Sequence, residues 1–208
     1  MPSTHDLFIH RYVPGAPSAP ALLLLHGTGG TEDSLIDLGR ELLPEAHLIS
    51  PRGKVLENGM PRFFKRLAEG VFDQADLRLQ TKNLKEFITA ARQEYLPDNT
   101  PLYAVGYSNG ANIAANLLLT HGPVLEGAML FRAMLPGPHA NAQLTGVPVI
   151  MLAGKLDPMI PQRSSADLQH VFLEAGADAI IHWEPTGHGL TYTDVEVAKS
   201  WLASRTKS

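Results

Sequence analysis

Ser108 stands in Gly106-Tyr107-Ser108-Asn109-Gly110, a G-x-S-x-G pentapeptide that follows the apolar run Leu102-Tyr103-Ala104-Val105 and precedes an apolar segment reaching Leu119. Those residue types in that order describe a strand, a turn sharp enough to need a glycine on each side, and a helix. Such a turn pushes its middle residue out of the sheet, where a hydroxyl can attack an electrophile. The first backbone N–H groups of the helix face the same spot and can hold a developing negative charge. A pentapeptide with so few fixed positions also arises by chance as a structural turn in a chain with 18 glycines. The strand before it and the helix after it favour the chemical reading.

A serine nucleophile needs a base, and the base needs an acid to orient it. His188 lies between Gly187 and Gly189, just after a strand-like run, Ala179–Trp183, and before a helical segment, where packing does not account for a histidine. His182 sits inside that strand, and His5, His10, His47, His121, His139 and His170 lack any context that brings them to Ser108. Asp157 follows the apolar run Pro148–Gly154 and is fixed by Pro158, as a loop carboxylate that orients an imidazole should be; the alternative is a turn or helix-cap aspartate. His26-Gly27-Thr28-Gly29-Gly30 ends another apolar run, Ala21–Leu25. It lacks the Lys-Ser/Thr of a phosphate loop and the spacing of a dinucleotide fingerprint. It is therefore read as the second wall of an oxyanion hole, with the N–H of Thr28 joining that of Asn109 and His26 as structural support.

These residues need a scaffold that brings four loops to one edge. Seven strand-like runs are expected, at residues 6–13 (a sheet edge), 21–25, 47–50, 102–105, 127–131, 148–154 and 179–183. Their continuous apolar character suits strands covered on both faces, hence a mostly parallel, doubly wound α/β sheet with helices on both sides. Helices are expected at 31–43, capped by Thr31 with Glu32 and Asp33 in the first turn; at 74–95; at 109–121; from about 161 to 176; and after Thr191, with Asp194 three residues on. Residues 51–75 show no clean period and, with the loop 132–146, are expected to line a substrate pocket. Phe63, Phe64, Met134 and Leu135 are its candidate lining. Arg62, Lys65 and Arg66 read equally well as solvated charges and as substrate contacts.

The chain has 208 residues, 44% hydrophobic and 18% charged, which suits one domain over residues 1–208. A net charge of −4 provides no general field for nucleic acid or an anionic membrane, so the expected partner is a small molecule. The absence of cysteine excludes disulfides, Cys-ligated zinc and a thiol nucleophile, and it fits the cytoplasm. The N-terminal residues do not read as a secretory leader, and the run Leu22–Leu25 is too short to span a bilayer. A homodimer is compatible with the composition, which fixes no oligomeric state.

Ser108, Asp157 and His188 occur in the chain order nucleophile, acid, base. Together with Leu24-Leu25-His26-Gly27-Thr28-Gly29-Gly30, Leu156-Asp157-Pro158-Met159-Ile160-Pro161 and Gly187-His188-Gly189, they make the chain resemble the small α/β-hydrolases of the phospholipase/carboxylesterase and acyl-protein thioesterase group. Pro51-Arg52-Gly53 to Pro61-Arg62-Phe63-Phe64 resembles a bacterial carboxylesterase-like branch of it. The resemblance implies an α/β-hydrolase fold without a large cap domain. It also implies a serine hydrolase that cleaves carboxylic esters through an acyl-enzyme, with no cofactor and no metal. A thioesterase or lysophospholipase would use the same triad, whereas a non-catalytic binding protein of this fold would show a broken one. The short chain tilts the expectation toward short-chain or small aromatic esters. Some members of that branch carry a ring-cleaving dioxygenase label, a chemistry that needs iron held by two histidines and a carboxylate; no such set can be assembled outside the residues above. Two positions depart from the family pattern: Asn109, where Gly or Gln is common, and Thr28, where many relatives carry an apolar residue.

Overall fold

A computed structural model describes residues 4–137 and 143–206. In chain order the elements are α1 (Thr4–Leu7), β1 (His10–Val13), β2 (Ala21–Leu25), α2 (Ile36–Leu42), β3 (His47–Pro51), β4 (Val55–Glu57), β5 (Met60–Arg62), β6 (Arg66–Ala68), β7 (Val71–Phe72) and α3 (Gln74–Tyr95). There follow β8 (Leu102–Tyr107), α4 (Asn109–His121), β9 (Gly127–Phe131), β10 (Pro148–Gly154), α5 (Gln162–Glu174), β11 (Asp178–Glu184) and α6 (Tyr192–Ala203).

Seven strands form the central sheet in the order β1-β3-β2-β8-β9-β10-β11, all neighbours parallel except β1 against β3. The all-apolar strands owe their composition to burial on both faces. Along β2, Leu22 and Leu24 join Val105, Met129 and Leu152 under α2 and α6. Ala21, Leu23 and Leu25 point the other way, into a core shared with α3, α4 and α5.

Three expectations are corrected. Residues 6 and 7 belong to α1, so the first strand is shorter than 6–13, although it does lie at the sheet edge. The helix expected over 31–43 begins only at Ile36, and Thr31 does not cap it. Thr31 and Ser34 instead close a turn on each other, while Glu32 is drawn to Arg52 at 2.5 and 2.6 Å and Asp33 to Arg11. Paired side chains hold those acids outside the helix. Finally, residues 51–75 are not irregular throughout, because β4–β5 and β6–β7 are two short hairpins. Asn58-Gly59 and Gly70 supply the positive φ values their turns need. Strands of two or three residues are too short to show a period.

Parallel topology brings the carboxyl ends of β2, β8, β10 and β11 to one edge. At that edge the chain passes itself without clearance. A Cβ on Gly110 would stand 2.0 Å from the Leu25 carbonyl oxygen, and one on Gly106 would stand 2.6 Å from the Ala111 Cα. Backbone cannot yield as a flexible side chain does. Gly110→Ala is therefore expected to destabilise the fold by about 3 kcal/mol or more, lowering the thermal midpoint by about 6–12 °C in a scan followed by circular dichroism.

Candidate active site

Ser108 joins β8 to α4 with φ 52° and ψ −113°, a conformation that side chains other than glycine rarely take. Its N–H donates to the Phe131 carbonyl at 2.9 Å, and its own carbonyl accepts the N–H of Asn112 at 3.0 Å. The strained residue is thus held from both sides, and its hydroxyl caps nothing in the helix.

His188 Nε2 lies 3.0 Å from Ser108 Oγ, and His188 Nδ1 lies 2.7 Å from Asp157 Oδ2. The Asp157 side chain is 1% exposed and its other oxygen accepts the N–H groups of Met159 and Ile160 at 2.8 and 3.1 Å. Those bonds fix the carboxylate in one orientation. With Asp157 ionised, Nδ1 carries the imidazole proton and the Nε2 lone pair faces the serine hydroxyl. The arrangement can take a proton from Ser108 and return it.

Thr28 and Asn109 both line the cleft beside Ser108, and among the described residues the N–H of neither has an acceptor in the protein. His26 is buried behind them. Its Nδ1 lies 2.6 Å from the Gly27 carbonyl and its Nε2 accepts the Gly53 N–H at 3.0 Å, so the ring ties the glycine-rich loop to the start of the hairpins. Burial pushes the His26 pKa below 6.5, only partly opposed by the Gly27 hydrogen bond and by Glu32.

The two hairpins form one wall of the cleft and are pinned to the elbow. Asn109 Oδ1 accepts the Phe63 N–H at 2.7 Å, Arg62 Nη1 donates to Thr28 Oγ1 at 2.7 Å, and the Gly29 N–H reaches the Pro61 carbonyl at 2.9 Å. Around Ser108 and His188 the polar lining comprises Thr28, Arg62, Arg66, Glu69, Asn109 and Asn112; the apolar lining comprises Phe72, Met134, Met159 and Ile160. Free space amounts to about 40 Å3. A larger groove of about 600 Å3 lies against α1 and α3, lined by Leu7, Lys85 and His121, away from Ser108.

The aromatic expectation is corrected here. Phe63 and Phe64 are fully buried in the core, Phe63 against the His26 ring and Phe64 edge-on to Phe72, and it is Phe72 that reaches the cleft. Met134 lines the cleft, whereas Leu135 packs against the core. Arg62 is 3% exposed and not solvated; burial lowers its pKa, opposed by Glu57 and reinforced by Arg66. Arg66 lines the cleft, and Lys65 is exposed. Residues 138–142 of the loop expected over the pocket, with His139, lie outside the described residues. Among the described residues, no group of three or more His, Asp or Glu side chains could hold a metal ion, and no helix is long and apolar enough to cross a membrane.

Sequence reasoning overlooked Arg132. It is 1% exposed, lies at φ 53° directly after β9, and donates to the carbonyls of Gly187, Gly189 and Leu152 at 3.1, 2.7 and 2.9 Å. The two glycine carbonyls flank His188. Asp194 supplies the counter-charge at 2.5 and 3.1 Å while also capping α6 through Thr191. The cap was legible in Thr191 and Asp194, but a lone arginine in a loop gives no sign that it will be buried. Tyr107 adds a third tether, its hydroxyl donating to the His188 carbonyl at 3.1 Å; burial raises its pKa and keeps it a donor.

Two outcomes are expected. Asp194→Asn leaves a buried guanidinium without its charge partner, which should lower stability by about 3–5 kcal/mol in urea unfolding. For His26 the folded pKa lies below the unfolded one, so its contribution is complete above about pH 6.5 and is lost as the pH falls through the lowered value. The thermal midpoint should fall between pH 7.5 and 5, and less steeply in His26→Asn, which cannot titrate.

Residues 12–205 match the phospholipase/carboxylesterase family. The Bacillus subtilis protein MhqD is 48% identical over 92% of this chain and 96% of its own. Among solved structures, a Bacillus cereus carboxylesterase superposes with a TM-score of 0.89 at 45% identity, covering 95% of this chain and 94% of its own. A protein of unknown function from Agrobacterium tumefaciens superposes at 0.90 with 35% identity over 98% and 99%.

Proposed function

The chain belongs to the phospholipase/carboxylesterase family and has the α/β-hydrolase fold without a large cap, and on that premise we propose that it is a serine hydrolase cleaving short-chain carboxylic esters. The observation that carries this reading is the continuous line Ser108 Oγ, His188, Asp157, with contacts of 3.0 and 2.7 Å.

Ser108 Oγ attacks the ester carbonyl carbon as His188 Nε2 takes its proton, and Asp157 stabilises the imidazolium. The oxyanion is held by the N–H groups of Thr28 and Asn109, each contributing on the order of 3 kcal/mol to the transition state. The alcohol leaves with the proton from His188. Water, deprotonated by the same ring, then releases the acid and restores the serine. No step calls for a cofactor.

Cleft size supports the chain-length preference. The cleft beside Ser108 holds about 40 Å3 of free space, against about 600 Å3 in the groove along α1 and α3. An acyl chain of a few carbons fits, whereas a lysophospholipid chain or the lipid of an acylated protein would have to lie outside it.

Release of p-nitrophenol from acetate, butyrate and octanoate esters tests this. Acetate and butyrate should be cleaved faster than octanoate, EDTA should leave the rates unchanged, and Ser108→Ala should lower turnover about 10⁴-fold or more. A Ser108→Ala variant retaining half the activity ends the serine mechanism; octanoate as the best substrate ends the short-chain preference.

A further inference from the structure

The polar wall of the cleft holds more donors than the protein satisfies. Arg62 and Arg66 converge on a single carboxylate, Glu57: Arg66 Nε lies 2.8 Å from Oε1 and Arg62 Nε lies 3.2 Å from Oε2. Glu57 is shared between the two guanidiniums, and no other carboxylate forms an ion pair with either among the described residues. Glu69, exposed at the tip of the β6–β7 hairpin, also lines the cleft. Arg62 further donates through Nε to the Phe64 carbonyl and through Nη1 to Thr28. Arg62 Nη2 and both terminal nitrogens of Arg66 are left without a protein acceptor among the described residues. Asn109 adds to this surplus: its Oδ1 is fixed by the Phe63 N–H, so its amide orientation is set, and its buried Nδ2 has no hydrogen-bond partner. The Asn109 Nδ2 is enclosed, whereas the Arg66 side chain is 26% exposed and lines the cleft, where its terminal nitrogens can take an acceptor from outside.

We propose that the acyl side of this cleft is built for a carboxylate-terminated acyl group, so that the preferred substrates are monoesters of short dicarboxylic acids, with Arg66 and Arg62 receiving the free carboxylate. This rests on the esterase reading above and names its substrate class. A carboxylate offers about four lone-pair sites and matches a guanidinium fork, whereas a methyl terminus would strip water from the arginines without replacing it. The methylenes between the two carbonyl carbons have Phe72, Met134 and Ile160 to lie against. The chemistry is the hydrolysis already described. Ser108 Oγ bonds to the ester carbonyl, the alcohol departs with the His188 proton, and water releases the diacid; the distal carboxylate is unchanged and no further reactant enters.

The test compares two alkyl esters of equal acyl length, methyl butyrate and monomethyl succinate, by acid release at constant pH. The expected result is a kcat/KM at least tenfold higher for monomethyl succinate, a ratio lowered about tenfold by Arg66→Gln and less by Arg66→Lys, which keeps the charge without the fork. Methyl butyrate cleaved as well as or better than monomethyl succinate overturns the carboxylate site while leaving the esterase standing, as does a preference that Arg66→Gln does not move. Hydrolysis of neither ester overturns the esterase reading, and the carboxylate site with it.

Discussion

Ser108 is held in a backbone conformation that it would not choose, and the surrounding architecture is the price of holding it. A residue at φ 52° persists only if its neighbours leave no relaxed alternative. Here the alternative is blocked by contact: the Gly110 backbone is pressed against the Leu25 carbonyl, Gly106 against Ala111, and the Ser108 N–H is engaged by Phe131. Each contact belongs to a different strand. Because β2, β8 and β9 are locked in parallel register through side chains buried on both faces, the elbow cannot unwind without separating the centre of the sheet. The rigidity needed for a positioned hydroxyl is thus supplied by the core.

The imidazole is positioned by a different device. His188 lies on a loop between two glycines, which could move freely, and the protein removes that freedom with charge. Arg132 holds the carbonyls on either side of His188 and is in turn neutralised by Asp194 from the helix that follows. A buried ion pair contributes little net stability compared with apolar packing, but it has direction. It fixes where the loop sits against β10, whose end also carries Asp157. Serine and histidine are therefore located by independent means, one by backbone crowding and one by a charged clamp, and meet at 3.0 Å.

Much of this was legible from residue types. The all-apolar strands, the helix over 74–95, the glycines of the elbow and the Thr191-Asp194 cap each have a local cause, and local causes leave a mark in sequence. Glu32 and Asp33 misled because helix-start chemistry and ion-pair chemistry use the same residues; only the positions of Arg52 and Arg11 decide between them. Phe63 and Phe64 misled for a similar reason, since an aromatic in an irregular stretch suits a pocket or a core equally well. Arg132 was invisible because its partners lie 20 to 62 residues away. What the sequence could not convey was burial of polar groups, which depends on tertiary contacts alone, and it is those groups that shape the cleft.

Treating the protein with a small fluorophosphonate ester, then mapping the adduct by peptide mass spectrometry while following residual esterase activity, is the most direct test of the account. It predicts one phosphonyl group per chain, on Ser108, with activity lost in proportion to its incorporation. Ester hydrolysis that survives full modification of Ser108, or inactivation by an adduct elsewhere while Ser108 stays free, would contradict it.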